Sequence, residues 1–98
     1  MTTVLDDDLK DELPGAVLAH LRSLEGMNLT ITEDTKTFED MGADSLTMLM
    51  VVGEFEERLD TELPPHLLWD APDLDRFVAY LAENVEAENL RRFVRAAP

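Results

Sequence analysis

The sequence predicts an all-α domain, a small four-helix bundle with three longer helices, one short helix and a long loop between the first and second helices. In several segments apolar residues recur at spacings of three and four, the period of an amphipathic helix. Aromatic residues make up only 6% of the chain, so we expect a core of Leu, Val, Ala and Met. The 98 residues suffice for one domain with a modest core, but not for an enclosed cavity of enzyme size.

The first helix is predicted over residues 12–25, ending at Gly26. If Asp11 is its N-cap, Pro14 falls in the first turn, where a missing N–H costs nothing. Residues 1–11 are expected to form a flexible acidic N-terminus, and residues 12–86 to form the folded domain. The helix has an apolar stripe composed of Leu13, Val17, Leu18, Leu21 and Leu24.

The segment from Met27 to Gly42 has no sustained period and is predicted to be a loop. Its isolated apolar residues are Leu29, Ile31 and Phe38. We expect these side chains to hold the loop against the bundle, which makes so long a loop tolerable in a small domain.

The second helix, predicted over residues 45–60, has two apolar faces. One face, predicted to be core, contains Met48, Val51, Val52, Phe55 and Leu59. The second contains Leu46, Leu49, Met50 and Gly53, and is bordered by Glu56 and Glu57. A helix on the outside of a bundle needs only one apolar face. The second face is therefore either buried under the loop or the last helix, or exposed as a docking surface for partner proteins.

Two further helices are predicted in the C-terminal half. The first is short, covers residues 66–70 and is anchored in the core by Leu68 and Trp69. The next is capped by Asp73, and its apolar stripe consists of Leu74, Phe77, Val78, Leu81 and Val85. Residues 87–98 form a C-terminal extension, for which three outcomes stay open: a longer last helix, a fifth short helix or a docking segment.

A single hydroxyl stands at the predicted start of the second helix. Asp44 is a suitable N-cap, which makes Ser45 the first helical residue, and Gly42 permits the turn that precedes them. Backbone N–H groups and the positive end of the helix dipole would favour a phosphate esterified to the Ser45 oxygen.

Composition restricts the possible functions. The absence of cysteine excludes disulfides and thiolate chemistry, and two histidines are too few for a zinc site. All 22 acids but only five of the eight basic residues lie in the first ninety residues, which therefore carry −17, while the last eight carry +3. Nucleic acid and anionic membranes are predicted to be poor partners, whereas basic patches on other proteins would attract the chain. With no signal peptide and no apolar run of spanning length, the expected compartment is the cytoplasm.

Two stretches together carry a family resemblance. The residues from Phe38 to Leu46 read FEDMGADSL, and those from Leu63 to Leu74 read LPPHLLWDAPDL. In this order and at this separation they resemble the signature blocks of acyl carrier proteins, and the resemblance covers roughly residues 12–85. It implies that 4'-phosphopantetheine from coenzyme A is attached to Ser45, with Asp44 as the capping neighbour and Leu46 completing the motif. It also implies a carrier without catalytic residues or a bound metal.

Phe38, three residues before Met41, and the block that begins at Leu63 resemble polyketide carriers more than fatty-acid ones. The starting Met and the short flanks predict a freestanding carrier, which is expected to be a monomer. The resemblance implies as partners a phosphopantetheinyl transferase, a ketosynthase, an acyltransferase or acyl-activating ligase, and tailoring enzymes.

Fatty-acid carriers often have acids where this chain has Thr47 and Met50, so docking near the serine is expected to rely on apolar contact. The alternatives are a peptidyl or aminoacyl carrier and a helical interaction protein that is not a carrier. A serine hydrolase using Ser45 would lack an identifiable base.

Overall fold

A computed structural model describes residues 7–24, 29–32 and 34–97. Over these ranges the chain forms five helices: α1 (Asp7–Ser23), α2 (Ser45–Leu59), α3 (Leu67–Asp70), α4 (Leu74–Asn84) and α5 (Ala87–Arg95). The predicted all-α class is confirmed. The extension after residue 86 forms a separate fifth helix, one of the three outcomes that the sequence left open.

Helix α1 begins five residues earlier than predicted, because Leu9 belongs to its buried stripe. The Leu9 side chain is buried and lies one helical turn before Leu13. Residues 7–11 are therefore helical rather than part of a flexible terminus, while residues 1–6 lie outside the described residues.

The prediction that Pro14 lies in the first turn of α1 was wrong. Pro14 is the eighth residue of the helix, so its missing N–H removes one internal hydrogen bond. The last helical residue is Ser23, followed by a turn at Leu24. The predicted end at Gly26 lies outside the described residues.

The core is continuous and is built around phenylalanine rings. Helix α1 packs against α4 and α5, and α2 packs against α3 and α5. All four phenylalanines are fully buried. Their ring contacts connect the loop before α2 with α4, α4 with α2, and α2 with α5. The centroid distances are 5.5 Å for Phe38–Phe77, 5.1 Å for Phe55–Phe77 and 5.8 Å for Phe55–Phe93. Phe38, Phe55 and Phe77 are buried as the sequence predicts, whereas the burial of Phe93 in the core was not predicted.

The loop before α2 is held against the bundle by side chains and by the backbone. Leu29 and Phe38 are buried, as predicted, and Ile31 is partly buried against the core. Phe38 N–H donates to the Pro72 carbonyl oxygen at 3.0 Å, beside an antiparallel bridge between Thr37 and Asp73. These bonds fix the loop to the start of α4.

Helices α3 and α4 follow the predicted pattern except at Trp69. Leu68 is fully buried, but Trp69 is 44% exposed and meets the His66 ring edge-on at a centroid distance of 5.5 Å. A four-residue helix has room for only one buried face, which Leu67 and Leu68 occupy. Asp73 caps α4 as predicted, accepting a hydrogen bond from Arg76 N–H at 2.7 Å.

No helix in the described ranges combines the length and the apolar character that a bilayer span requires.

Candidate functional site

The start of α2 presents an exposed hydroxyl. Ser45 is the first helical residue and its side chain is exposed. Asp44 precedes it in an extended conformation, and its Oδ1 accepts a hydrogen bond of 2.8 Å from Thr47 N–H. Gly42 has a φ of 83°, a value that suits glycine and reverses the incoming loop. The predicted turn, cap and first helical residue therefore lie where the sequence placed them.

The electrostatics of this end suit an anion on the Ser45 oxygen. The Thr47 backbone N–H, and after it the Thr47 side chain, hold the pKa of Asp44 below its usual range. The first turn of α2 contains no acidic side chain. The dipole of a fifteen-residue helix favours a phosphate at this end, where Asp44 already accepts from the Thr47 N–H. The residues present therefore fit a phosphodiester on Ser45.

Both histidines contact aromatic rings. His20 is fully buried and stacks on Phe93 at a centroid distance of 4.3 Å, and His66 contacts the Trp69 ring. Among the described residues, no group of three or more acids or imidazoles is arranged to hold a metal ion. The arrangement can present the hydroxyl oxygen of Ser45 to another enzyme.

The second apolar face of α2 is exposed, so it is not buried under the loop or the last helix. Leu46 is 66%, Leu49 43% and Met50 45% exposed. We call these three residues the exposed strip. At Gly53, a Cβ would meet no atom within 4 Å, so the surface beyond the strip is open.

The opposite face of α2 is buried largely as predicted. Val51, Val52, Phe55 and Leu59 are buried, and Met48 is partly buried against them. Thr47 is also buried, which the sequence did not predict. Its side chain is therefore not part of the surface that a partner would contact, and the comparison with fatty-acid carriers applies at Met50 alone.

The two acids at the margin differ from each other. Glu57 is exposed. Glu56 is partly buried, and its Oε2 accepts a hydrogen bond of 2.9 Å from Leu63 N–H. The Glu56 side chain, which the sequence assigned to docking, therefore makes a contact within its own chain.

The far end of α2 also involves a residue that the sequence did not single out. Asn89, on α5, donates from Nδ2 to the Leu59 carbonyl oxygen at 2.9 Å and to that of Asp60 at 3.3 Å. No local pattern signals this cap, because thirty residues separate Asn89 from Leu59.

Comparison with known proteins gives a consistent result. The family model described as "Phosphopantetheine attachment site" matches residues 15–81. A conidial pigment polyketide synthase of Aspergillus fumigatus is 38% identical over 58 residues, which is 59% of this chain and 3% of the synthase. A non-reducing polyketide synthase of Talaromyces stipitatus is 30% identical over 73 residues, or 74% of this chain and 3% of the synthase.

A stand-alone relative is also similar. An acyl carrier protein of Akkermansia muciniphila is 39% identical over 51 residues, which is 52% of this chain and 64% of that protein. The match thus spans a small fraction of the synthases and somewhat less than two thirds of the carrier protein. No solved structure matches the chain significantly.

Proposed function

This chain belongs to the family of phosphopantetheine attachment domains, and we propose that it is an acyl carrier whose 4'-phosphopantetheine is attached through the Ser45 oxygen. The observation that carries the proposal is the exposed hydroxyl of Ser45 at the first position of α2, within the segment that the family model matches. Attached there, the group would supply a thiol that holds an acyl chain as a thioester. The chain itself has no cysteine.

The attachment step requires a transferase, coenzyme A and Mg²⁺. The Ser45 oxygen would attack the phosphorus that carries the pantetheine, and the adenosine bisphosphate would leave. The Ser45 proton would pass to a base of the transferase. The chain's own contribution is to hold the hydroxyl open to solvent and to favour the phosphate at the start of α2.

The exposed strip supports a docking role beside that hydroxyl. Leu46, Leu49 and Met50 offer apolar contact, and unbranched Met50 can adapt to several partners. Glu57 at the margin would pair with Arg or Lys of a partner, and the formal charge of −14 would attract basic patches over a longer range. Gly53 leaves room for a partner to approach the helix closely.

The relatives favour a polyketide pathway. Two of them are polyketide synthases, and we propose that this carrier serves a ketosynthase, an acyltransferase or acyl-activating ligase, and tailoring enzymes. It would act as a monomer in the cytoplasm, where coenzyme A is available, without binding nucleic acid or membranes. It would supply no catalytic group. A tethered intermediate gains an increased effective concentration at each partner's active site.

The proposal is tested by replacing each of the two serines. The protein is incubated with coenzyme A, Mg²⁺ and a broad-specificity phosphopantetheinyl transferase, and its intact mass is measured. Wild type and Ser23→Ala are expected to gain one phosphopantetheine, and Ser45→Ala none. Ser23 is the matched control, since it lies at the end of α1, where its hydroxyl donates to the His20 carbonyl oxygen. Modification of Ser45→Ala, or none in wild type, would contradict the proposal.

A further inference from the structure

The connection between α2 and α3 is held in a defined conformation. Asp60 ends α2 in the left-handed region with a φ of 51°. Its N–H donates to the Glu57 carbonyl oxygen at 3.3 Å, and Thr61 N–H donates to that of Glu56 at 3.2 Å. This pair of bonds is the Schellman arrangement, in which the last carbonyl groups of a helix are satisfied by the residues that follow.

Two side chains hold the same connection from opposite directions. Glu56 reaches forward seven residues to accept from Leu63 N–H at 2.9 Å. Asn89 reaches from α5 to the carbonyl oxygens of Leu59 and Asp60, and Arg92 Nη2 donates to the Asn89 Oδ1 at 3.1 Å. The connection is therefore bonded both to α2 and to α5. Helix α5 lies beyond residue 81, the last residue that the family model matches.

The contact of Glu56 requires an acceptor oxygen and not a charge. Leu63 is a buried residue, and its N–H donates to Glu56 in a partly buried hydrogen bond, so removal of the Glu56 oxygen would cost the N–H this acceptor. An amide oxygen at the same place could accept the same hydrogen bond. The neighbouring Glu57 is exposed. The two adjacent acids of α2 therefore differ, because Glu56 accepts from the Leu63 N–H whereas the Glu57 side chain is exposed.

We propose that Glu56 is a positioning residue, which sets the conformation of the α2–α3 connection through Leu63, and that the charge which the phosphopantetheinyl transferase recognises at this end of α2 belongs to Glu57. The inference rests on the proposed carrier function. The transferase would then respond to the oxygen at position 56 only through the shape of the connection, and to the negative charge at position 57 directly.

Three variants separate the two roles. Glu56→Gln keeps an acceptor and removes the charge, Glu56→Ala removes both, and Glu57→Gln removes the exposed charge. The first measurement is hydrogen exchange at the Leu63 amide, followed by NMR. We expect protection as in wild type for Glu56→Gln and Glu57→Gln, and at least about tenfold faster exchange for Glu56→Ala, because the amide loses its acceptor.

The second measurement is the KM of a broad-specificity phosphopantetheinyl transferase for each variant, with coenzyme A and Mg²⁺. We expect Glu56→Gln to stay within about twofold of wild type, and Glu57→Gln and Glu56→Ala to raise KM by about fivefold, with kcat retained. Should Glu56→Ala fail to fold, Glu56→Gln and Glu57→Gln still decide between the roles.

Three results would overturn the inference. The first is a KM for Glu56→Gln as high as that of Glu57→Gln, which would make position 56 a docking charge. The second is unchanged exchange at Leu63 in folded Glu56→Ala. The third is an unchanged KM in Glu57→Gln. A wild-type chain that is never modified would instead contradict the carrier function, and the exchange measurement would still test how Glu56 acts on Leu63.

Discussion

Three residues at the start of α2 each have a different structural role. Gly42 turns the chain, Asp44 ends the loop by accepting from Thr47 N–H, and Ser45 takes the first helical position with its hydroxyl exposed. Turn and cap preferences depend on a few neighbouring residues, so this part of the site could be predicted from the sequence. The burial of Thr47 could not, because it depends on the packing around the side chain.

Removal of the cap should destabilise α2. We expect Asp44→Ala to lower the thermal midpoint by several degrees, while Asp44→Asn, which keeps an acceptor oxygen, remains close to wild type. Because the pKa of Asp44 is lowered from 3.8, its charged form stabilises the fold above that pH, and this contribution is lost as the pH falls through the folded-state pKa. Thermal melts at pH 7 and pH 3 test both statements. Equal midpoints at pH 7 for Asp44→Ala and wild type would contradict them.

His20 should make the protein sensitive to mild acid. Burial, and then the positive charge of Arg58, lower the pKa of His20 from 6.5, and the Phe93 backbone acts more weakly in the opposite direction. As the pH falls, the unfolded chain therefore binds a proton at His20 before the folded chain does. We expect the free energy of unfolding to fall below about pH 6.5, by up to about 1.4 kcal/mol per pH unit, until the folded-state pKa is reached.

The comparison for this prediction is His20→Phe, which keeps the stack on Phe93. Urea denaturation between pH 7.5 and pH 5 should show a slope for wild type and a flatter line for the variant. A wild-type stability that does not change over this range would show that protonation of His20 is not linked to unfolding.

At the scale of the elements, helix α2 combines a buried and an exposed apolar face. The angular positions of its residues predicted both apolar faces, but not whether the second face is buried or exposed. That depends on the path of the loop and on the position of α5, neither of which is encoded in the local period. The structure leaves Leu46, Leu49 and Met50 exposed.

A charge placed on the exposed strip should weaken docking without unfolding the protein. We expect Met50→Glu to raise the transferase KM about tenfold, because apolar contact is lost and a carboxylate is desolvated, with the melting temperature little changed. Leu46→Ala should act in the same direction. Ala79→Glu adds the same charge at an exposed position of α4 and serves as the control. If Met50→Glu and Ala79→Glu have equal KM values, the strip is not an interface.

The errors of prediction at this scale share a cause. The start of α1 was placed at a plausible cap, although the buried stripe continues back to Leu9. Trp69 was expected to anchor the short helix in the core together with Leu68, although a one-turn helix buries only one face. In both cases tertiary packing decided what local preference left undetermined.

At the scale of the whole molecule, α5 completes the core. Leu90 and Phe93 are fully buried, and Phe93 contacts rings from both α1 and α2. The sequence left the role of this segment open, because the apolar period breaks after Val85. The contacts that define it, from Phe93 to His20 and from Asn89 to Leu59, join residues far apart in the chain.

Loss of the α5 anchor should therefore affect the entire domain. We expect Phe93→Ala to lower the free energy of unfolding by about 3–5 kcal/mol, a large part of the total for a domain of this size. Arg95→Ala, at an exposed position of the same helix, should change it by less than about 0.5 kcal/mol. Urea denaturation measures both. A Phe93→Ala variant as stable as Arg95→Ala would mean that α5 is not part of the cooperative unit.

The central claim is that the hydroxyl at the start of α2 is the attachment point. The most direct test is to digest wild-type protein after treatment with coenzyme A, Mg²⁺ and the transferase, and to locate the added group by fragment mass. Our account predicts one phosphopantetheine on the peptide containing Ser45 and none on the peptide containing Ser23. An unmodified Ser45 peptide, in a reaction that modifies a known carrier, would contradict it.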